Sequence, residues 1–381
     1  MNILIDNAGF INKGAELMLY AAQIKLASIA PPSVFICRSR TPENLKKKII
    51  ELRQQKRQNL IPVKFLPLTL TKTFFGYAAP HHITHIVDAG GFRLGDQWVD
   101  NYSHDGIALW TNIYKAIKEK GGKNIFLPQA FGPFRKSLSR EFIESIYPFV
   151  DLLIAREQES YNNLMEIFDD DGKIQLFPDF TNIYQPVLTD EEKNTLKNFT
   201  GRICIIPNSK MITHTEKQVA DSYVSFMAQL AQTIKRKGYK VLFLNHEGNA
   251  DENLIKQIIK ETREEFDSVS GLNADQVKWL IRESKLVVTS RFHGLVSALS
   301  QGVPAFCTSW SHKYHELLKD YEQEKNLLDV RQPIEGIEKL LSLLDSNESM
   351  AKTRIVLNKN AEIQKQKSLE MWNKVEKILM R

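Results

Sequence analysis

The sequence predicts an α/β protein of two domains, each built on a parallel sheet with helices on its faces. Three observations point there. Short apolar runs rich in β-branched residues, such as Ile203 to Ile206 and Leu286 to Thr289, alternate with longer segments of helical apolar spacing. The alternation occurs twice, over residues 1–187 and 200–345, and the polar stretch 188–199, with Asp190, Glu191, Glu192 and Lys193, reads as the linker between them. At 381 residues the chain is long for one domain and sufficient for two cores. A last helix, residues 346–381, sets Leu369, Trp372, Val375 and Leu379 as a narrow apolar stripe among lysines and is expected to pack back across the domains.

Taken in order, Asn2 to Asp6 is a strand, followed by a loop with Gly9 and Gly14 and a helix running from Ala15 to Leu26. Gly14 either lets that helix pack closely or meets a ligand. Val34 to Cys37 is the next strand, Pro42 to Gln58 a charged helix with Pro42 in its first turn, and Ile61 to Leu66 another strand. Phe74 to His82 reads as loop. His81, His82 and His85 lack a neighbouring carboxylate or cysteine set, so they read as structural and no metal site is expected. Ile83 to Val87 ends in Asp88, Ala89, Gly90 and Gly91, where the two glycines leave the backbone open to a ligand. A helix from Gly106 to Lys120 leads to the strand Asn124 to Leu127, with Gln129 beyond its end. Leu152 to Ala155 carries Arg156, Glu157 and Ser160 at its tip, and Asp179 follows the strand Ile174 to Phe177.

The second alternation begins with Arg202 to Ile206, ending in Asn208 and Lys210. A helix from Glu216 to Lys237 precedes the strand Lys240 to Leu244, which ends in Asn245, His246 and Glu247, and Ala274 to Glu283 is helical. The stretch Leu286 to Phe306 then reads as strand, tight turn, helix and strand, with Ser290, Arg291 and His293 at the turn. The carboxyl end of a strand in an open parallel sheet is where ligands bind, and a helix start there favours an anion. Arginine adds a planar charged fork and histidine a proton that moves near neutrality. Ser309, Ser311, His312 and Lys313 form a second polar set at the next strand end.

Composition limits the function classes. The chain is 43% hydrophobic and 25% charged, and no apolar run approaches the ~18 residues of a membrane span. Met1 to Asp6 reads as a core strand and not as a secretory leader, so the expected location is the cytoplasm, with the inner membrane face as the alternative. Cys37, Cys204 and Cys307 lie in apolar runs and read as small hydrophobes. A formal charge of +6, spread over dispersed lysines, suits anionic substrates; no nucleic-acid motif is present, and membrane contact is expected to be peripheral at most.

The ordered set Asn12-Lys13-Gly14-Ala15-Glu16-Leu17, Asp88-Ala89-Gly90-Gly91, Pro128-Gln129-Ala130-Phe131-Gly132-Pro133-Phe134, Ala155-Arg156-Glu157, Pro178-Asp179 and Ser290-Arg291-Phe292-His293-Gly294 resembles the polysaccharide pyruvyl transferase family over about residues 1–321. The resemblance implies two Rossmann-like domains facing across a cleft, as in GT-B glycosyltransferases. It also implies transfer of a pyruvyl group from phosphoenolpyruvate to hydroxyls of a saccharide, lipid-linked or not, forming a ketal in surface polysaccharide biosynthesis without a metal or organic cofactor. Under it His293, Arg291, Glu157 and Asp179 are catalytic candidates. Arg156, Lys313, Gly14, Gly90, Gly91, Gln129, Asn208, His246 and Ser290 are substrate-binding candidates. Two positions depart from the pattern: Ala15 replaces an acid in Asn-x-Gly-Asp-Glu, and Phe292 replaces Leu. The rival readings are a GT-B glycosyltransferase using a nucleotide sugar and, given Ala15, a non-catalytic saccharide-binding or assembly protein.

Overall fold

The computed structural model describes residues 1–30, 32–39, 49–52, 67–70, 77–311 and 313–381. The chain divides into two compact units, one of Met1–Phe10, Met18–Phe180 and Lys367–Arg381, the other of Ile11–Leu17 and Thr181–Gln366.

In the first unit, β1 (Asn2–Asp6) is flanked by β2 (Val34–Cys37) and β5 (His85–Asp88) in parallel register, with Ile3 opposite Phe35 on one side and Asp6 opposite Asp88 on the other. β3 (Ile49–Leu52) and β4 (Tyr77–Ala78) extend the sheet beyond β2, and β7 (Asn124–Phe131), β8 (Leu152–Ala155) and β9 (Ile174–Leu176) extend it beyond β5. The remaining strand, β6 (Phe92–Leu94), pairs with the far end of β7. The helix α1 (Lys13–Ile29) starts in residues of the second unit and continues in the first. Ser103 caps α2 (His104–Glu119) by accepting the Gly106 N–H at 3.1 Å, and Ile107, Tyr114 and Ile117 of α2 pack with Ile86 and Phe126 of the sheet.

The second unit is a five-stranded parallel sheet in the order β12 (Asp267–Val269), β11 (Val241–Leu244), β10 (Ile203–Ile206), β13 (Leu286–Thr289), β14 (Ala305–Cys307). Alternate residues of each strand face opposite cores: Cys204, Ile206, Leu242, Leu244 and Val287 join one, and Ile203, Ile205, Val241, Phe243, Leu286 and Val288 the other. Both faces are covered by helices, which is why these strands read as unbroken apolar runs. The order reverses direction between β10 and β13, so the carboxyl ends of those strands form a switch point.

Several expectations are corrected. The helix expected over Pro42 to Gln58 contains β3, because the β-branched pair Ile49 and Ile50 takes the ladder beside Phe35 and Ile36; the rest of that segment, the strand Ile61 to Leu66 and part of the loop Phe74 to His82 lie outside the described residues. Residues 188–199, expected to be a linker, hold the helix Asp190–Leu196. Thr189 and Glu192 form its capping box, and Leu188 and Leu196 are buried in the second core. Gln129 does not lie past a strand end: β7 continues to Phe131 because β6 offers Ala130 and Phe131 a new partner, and Gln129 is fully buried. The last helix, Asn347–Leu379, buries Leu357 and Ala361 in the second unit, while Trp372 stands edge-on to Phe180 in the first.

Candidate active site

Four strand ends of the second unit bring their loops together at the switch point. After β10, Asn208 donates from Nδ2 to the Ser290 carbonyl at 2.9 Å and accepts the Lys210 N–H at 3.0 Å, which turns the chain into the one-turn helix Lys210–Thr213. After β13, the Ser290 hydroxyl bonds Tyr223 at 2.6 Å and Thr308 at 2.7 Å, and its carbonyl also accepts from Tyr314 at 2.8 Å. Asn208 and Ser290 are thus buried struts of the loop that presents Arg291 and His293.

Arg291 caps α9 (Phe292–Leu299), its N–H donating to Thr289 Oγ1 at 3.0 Å. Its side chain is buried, and two carboxylates from the start of one helix hold the fork. These are Glu247, at the cap of α7 (Gly248–Thr262), and Asp251 in its first turn, the latter at 2.5 Å from the second terminal nitrogen. Asp251 also accepts the Ser209 N–H at 3.0 Å, tying the β10 loop to the arginine. A helix start favours carboxylates, and the paired charges hold the arginine firmly in its charged form despite burial.

His293 lies in the first turn of α9, half-buried. Against it packs Gly14, in the segment Ile11–Leu17 that belongs to this unit. Asn12 pairs with Glu247, the Lys13 N–H donates to the His246 carbonyl at 3.1 Å, and Asn12 Oδ1 accepts the Gly14 N–H at 2.8 Å. A Cβ on Gly14 would fall 2.5 Å from His293 Nδ1, so this glycine packs closely on His293. His246 is buried beside this group. Burial first, then the charges of Arg291, His293 and Lys13, push its pKa well below the usual value, so it is neutral near pH 7.

Lys313, buried at the start of the helix Lys313–Asp320, sets its ammonium 4.3 Å from the Trp310 ring and 5.4 Å from Phe292. Lys210 sits 4.9 Å from the same indole, and burial lowers its pKa. Ser309 accepts the Ser311 N–H at 3.1 Å in the loop between; His312 lies outside the described residues. Two lysines, Arg291 and a helix start make this end of the sheet suited to an anion.

The other candidates lie in the first unit. Arg156 is buried with Asp179 at 3.2 Å and Glu157 at 3.6 Å, Glu157 also accepting from Ser160. At the β1 and β5 ends, Asp88 takes the Gly90 N–H at 2.9 Å, Gln129 Nε2 at 3.2 Å and Asn7 Nδ2 at 2.6 Å. Burial, with Asp6 adding to it, pushes the Asp88 carboxyl up. Gly90 makes room for Asn7, whose Cβ lies 2.9 Å from where a Gly90 Cβ would be, and Gly91 takes a left-handed φ of 66°. Among the described residues no group of His, Cys, Asp and Glu is placed to hold a metal ion, and no helix is long and apolar enough to cross a membrane.

Glu247 was legible as a strand-end residue without a role. Asp251 and the membership of residues 11–17 in the second unit carried no local signal, although the spacing of four between Glu247 and Asp251 puts both on one helix face.

Comparisons with known proteins agree with this architecture. The family model of polysaccharide pyruvyl transferases matches residues 12–312. Among solved structures, Anabaena HepE (Alr3699) in complex with UDP and glucose is similar at a TM-score of 0.62 and 11% identity, covering 100% of this chain and 99% of that one. A glycosyltransferase from Rickettsia africae gives 0.57 at 12% identity, covering 98% of each chain. A UDP-GlcNAc 2-epimerase from Neisseria meningitidis bound to UDP-GlcNAc gives 0.53 at 10% identity, over 97% of this chain and 100% of that one. These neighbours share the GT-B type of fold, with two Rossmann-like domains. No protein of curated function matches the sequence.

Proposed function

The chain belongs to the polysaccharide pyruvyl transferase family, and on that premise we propose that it transfers the pyruvyl group of phosphoenolpyruvate to two hydroxyls of a saccharide, forming a ketal. What carries the reading is that the matched span includes Gly14, Arg291 and His293, which lie together at the switch point. His293, as an imidazolium, protonates the methylene carbon of phosphoenolpyruvate, leaving a cationic C2. One saccharide hydroxyl adds to C2 and gives up its proton. The C2–O bond to phosphate then breaks as a second hydroxyl closes the ketal. Of the two hydroxyl protons released, one balances that spent on the methylene carbon and the other leaves with phosphate or solvent.

His246, neutral near pH 7, lacks the proton this step needs. Arg291, Lys313 and Lys210 are the groups for the phosphate and carboxylate of the donor. Arg156 is a further anion ligand, with Glu157 and Asp179 orienting it or accepting a hydroxyl proton. The acceptor is a saccharide, and the proposed place of work is the cytoplasm.

Phosphoenolpyruvate is expected to raise the melting temperature in a thermal-shift titration, and UDP-glucose is not. The reverse result would favour the rival suggested by the UDP-bound neighbours, a glycosyltransferase using a nucleotide sugar. Stabilisation by neither would favour a non-catalytic saccharide-binding protein.

Gly14→Ala offers a second check. The new methyl would lie 2.9 Å from His293 Cβ as well as 2.5 Å from Nδ1, so turning the ring cannot relieve the contact and His293 must shift as a whole. Turnover is expected to fall ~10-fold or more, the order of loss that follows a displacement of under 1 Å in a reacting group, with the melting temperature lowered as well because His293 Cβ is part of the contact. Parent-like turnover would show that His293 need not be held where it is.

A further inference from the structure

The two carboxylates on Arg291 are not equivalent. Asp251 is fully buried and has a second partner in the Ser209 N–H, whereas the Glu247 side chain is 31% exposed and sits at the cap of its helix. Buried Arg291 Nε has no hydrogen-bond partner among the described residues, so the guanidinium is not saturated. An exposed carboxylate on one arm of a buried arginine has the shape and charge of a carboxylate or phosphate ligand bound there.

We propose that Glu247 occupies the anion subsite of Arg291 in the free protein and is displaced by the carboxylate or phosphate of the donor, while Asp251 stays and fixes the direction of the fork. The inference rests on reading Arg291 as a ligand of the donor anion. Only Glu247 can leave cheaply: moving its exposed carboxylate into water costs little, whereas removing Asp251 would strand a buried charge. Once Glu247 departs, the arm it held, Nη1, is open to the incoming anion while Nη2 stays on Asp251. Glu247 thereby sets donor affinity without entering the chemistry, and it disfavours weakly held anions that cannot displace it.

The test is calorimetric titration of the full chain and of Glu247→Gln and Asp251→Asn with phosphoenolpyruvate and, separately, inorganic phosphate. Glu247→Gln weakens the competing ion pair and is expected to bind at least one of the two anions up to ~5-fold more tightly than the parent, the upper end for a partly exposed ion pair. Asp251→Asn is expected to bind more weakly. A purely structural or proton-accepting Glu247 predicts unchanged or weaker binding of both anions by Glu247→Gln, and that result, or no binding of either anion by any form, overturns the proposal. If phosphate is tightened and phosphoenolpyruvate is not, the subsite stands and the pyruvyl reading fails.

Discussion

Replacing His293 with Gln is expected to lower pyruvyl-transfer turnover by ~100- to 10,000-fold, the loss typical of removing a general acid, while phosphoenolpyruvate binding is largely retained. Gln keeps a polar side chain at the start of α9 but has no transferable proton. The contacts that order this loop are made by Asn208, Ser290 and Thr308, none of which the substitution touches. Stability should therefore hold, and a single-turnover assay beside a melting curve separates the cases. Near-parental turnover, or a loss matched by unfolding, would return His293 to a purely structural place.

Arg291→Lys is expected to weaken phosphoenolpyruvate binding ~100-fold, with a smaller effect on turnover at saturation. The guanidinium spans Glu247 and Asp251 at once, which a single ammonium cannot. A lysine here would be drawn to buried Asp251, keeping that charge paired and the fold intact but leaving position 291 with no charge aimed at the donor. The prediction is read as a rise in KM and calorimetric Kd; an unchanged Kd would remove Arg291 from the binding surface.

Much of this site could be read from the sequence because strand ends are local signals. The apolar runs of β10, β11 and β13 stop where polar residues begin, and those residues, Asn208, His246, Glu247, Ser290, Arg291 and His293, prove to be neighbours in the sheet order. What escaped depends on tertiary pairing. Gly14 was legible as a candidate but its contact with His293 was not: the pairing of Asn12 with Glu247 and the Lys13 bond to His246 carry it there. Asp251 looks like any acid in a first helical turn until its burial against Arg291 is seen. Gln129 escaped because its strand outlasts its apolar run, held by a partner strand of three residues. Conversely, Ser290 looks like a ligand contact by position, yet its hydroxyl is committed to Tyr223 and Thr308.

Whether the chain makes a pyruvate ketal is decided by mass spectrometry of the surface polysaccharide from cells with and without the gene. The ketal is expected to disappear on deletion and to return with the parent gene but not with His293→Gln. A polysaccharide that keeps its ketal and lacks a sugar residue instead would contradict this expectation.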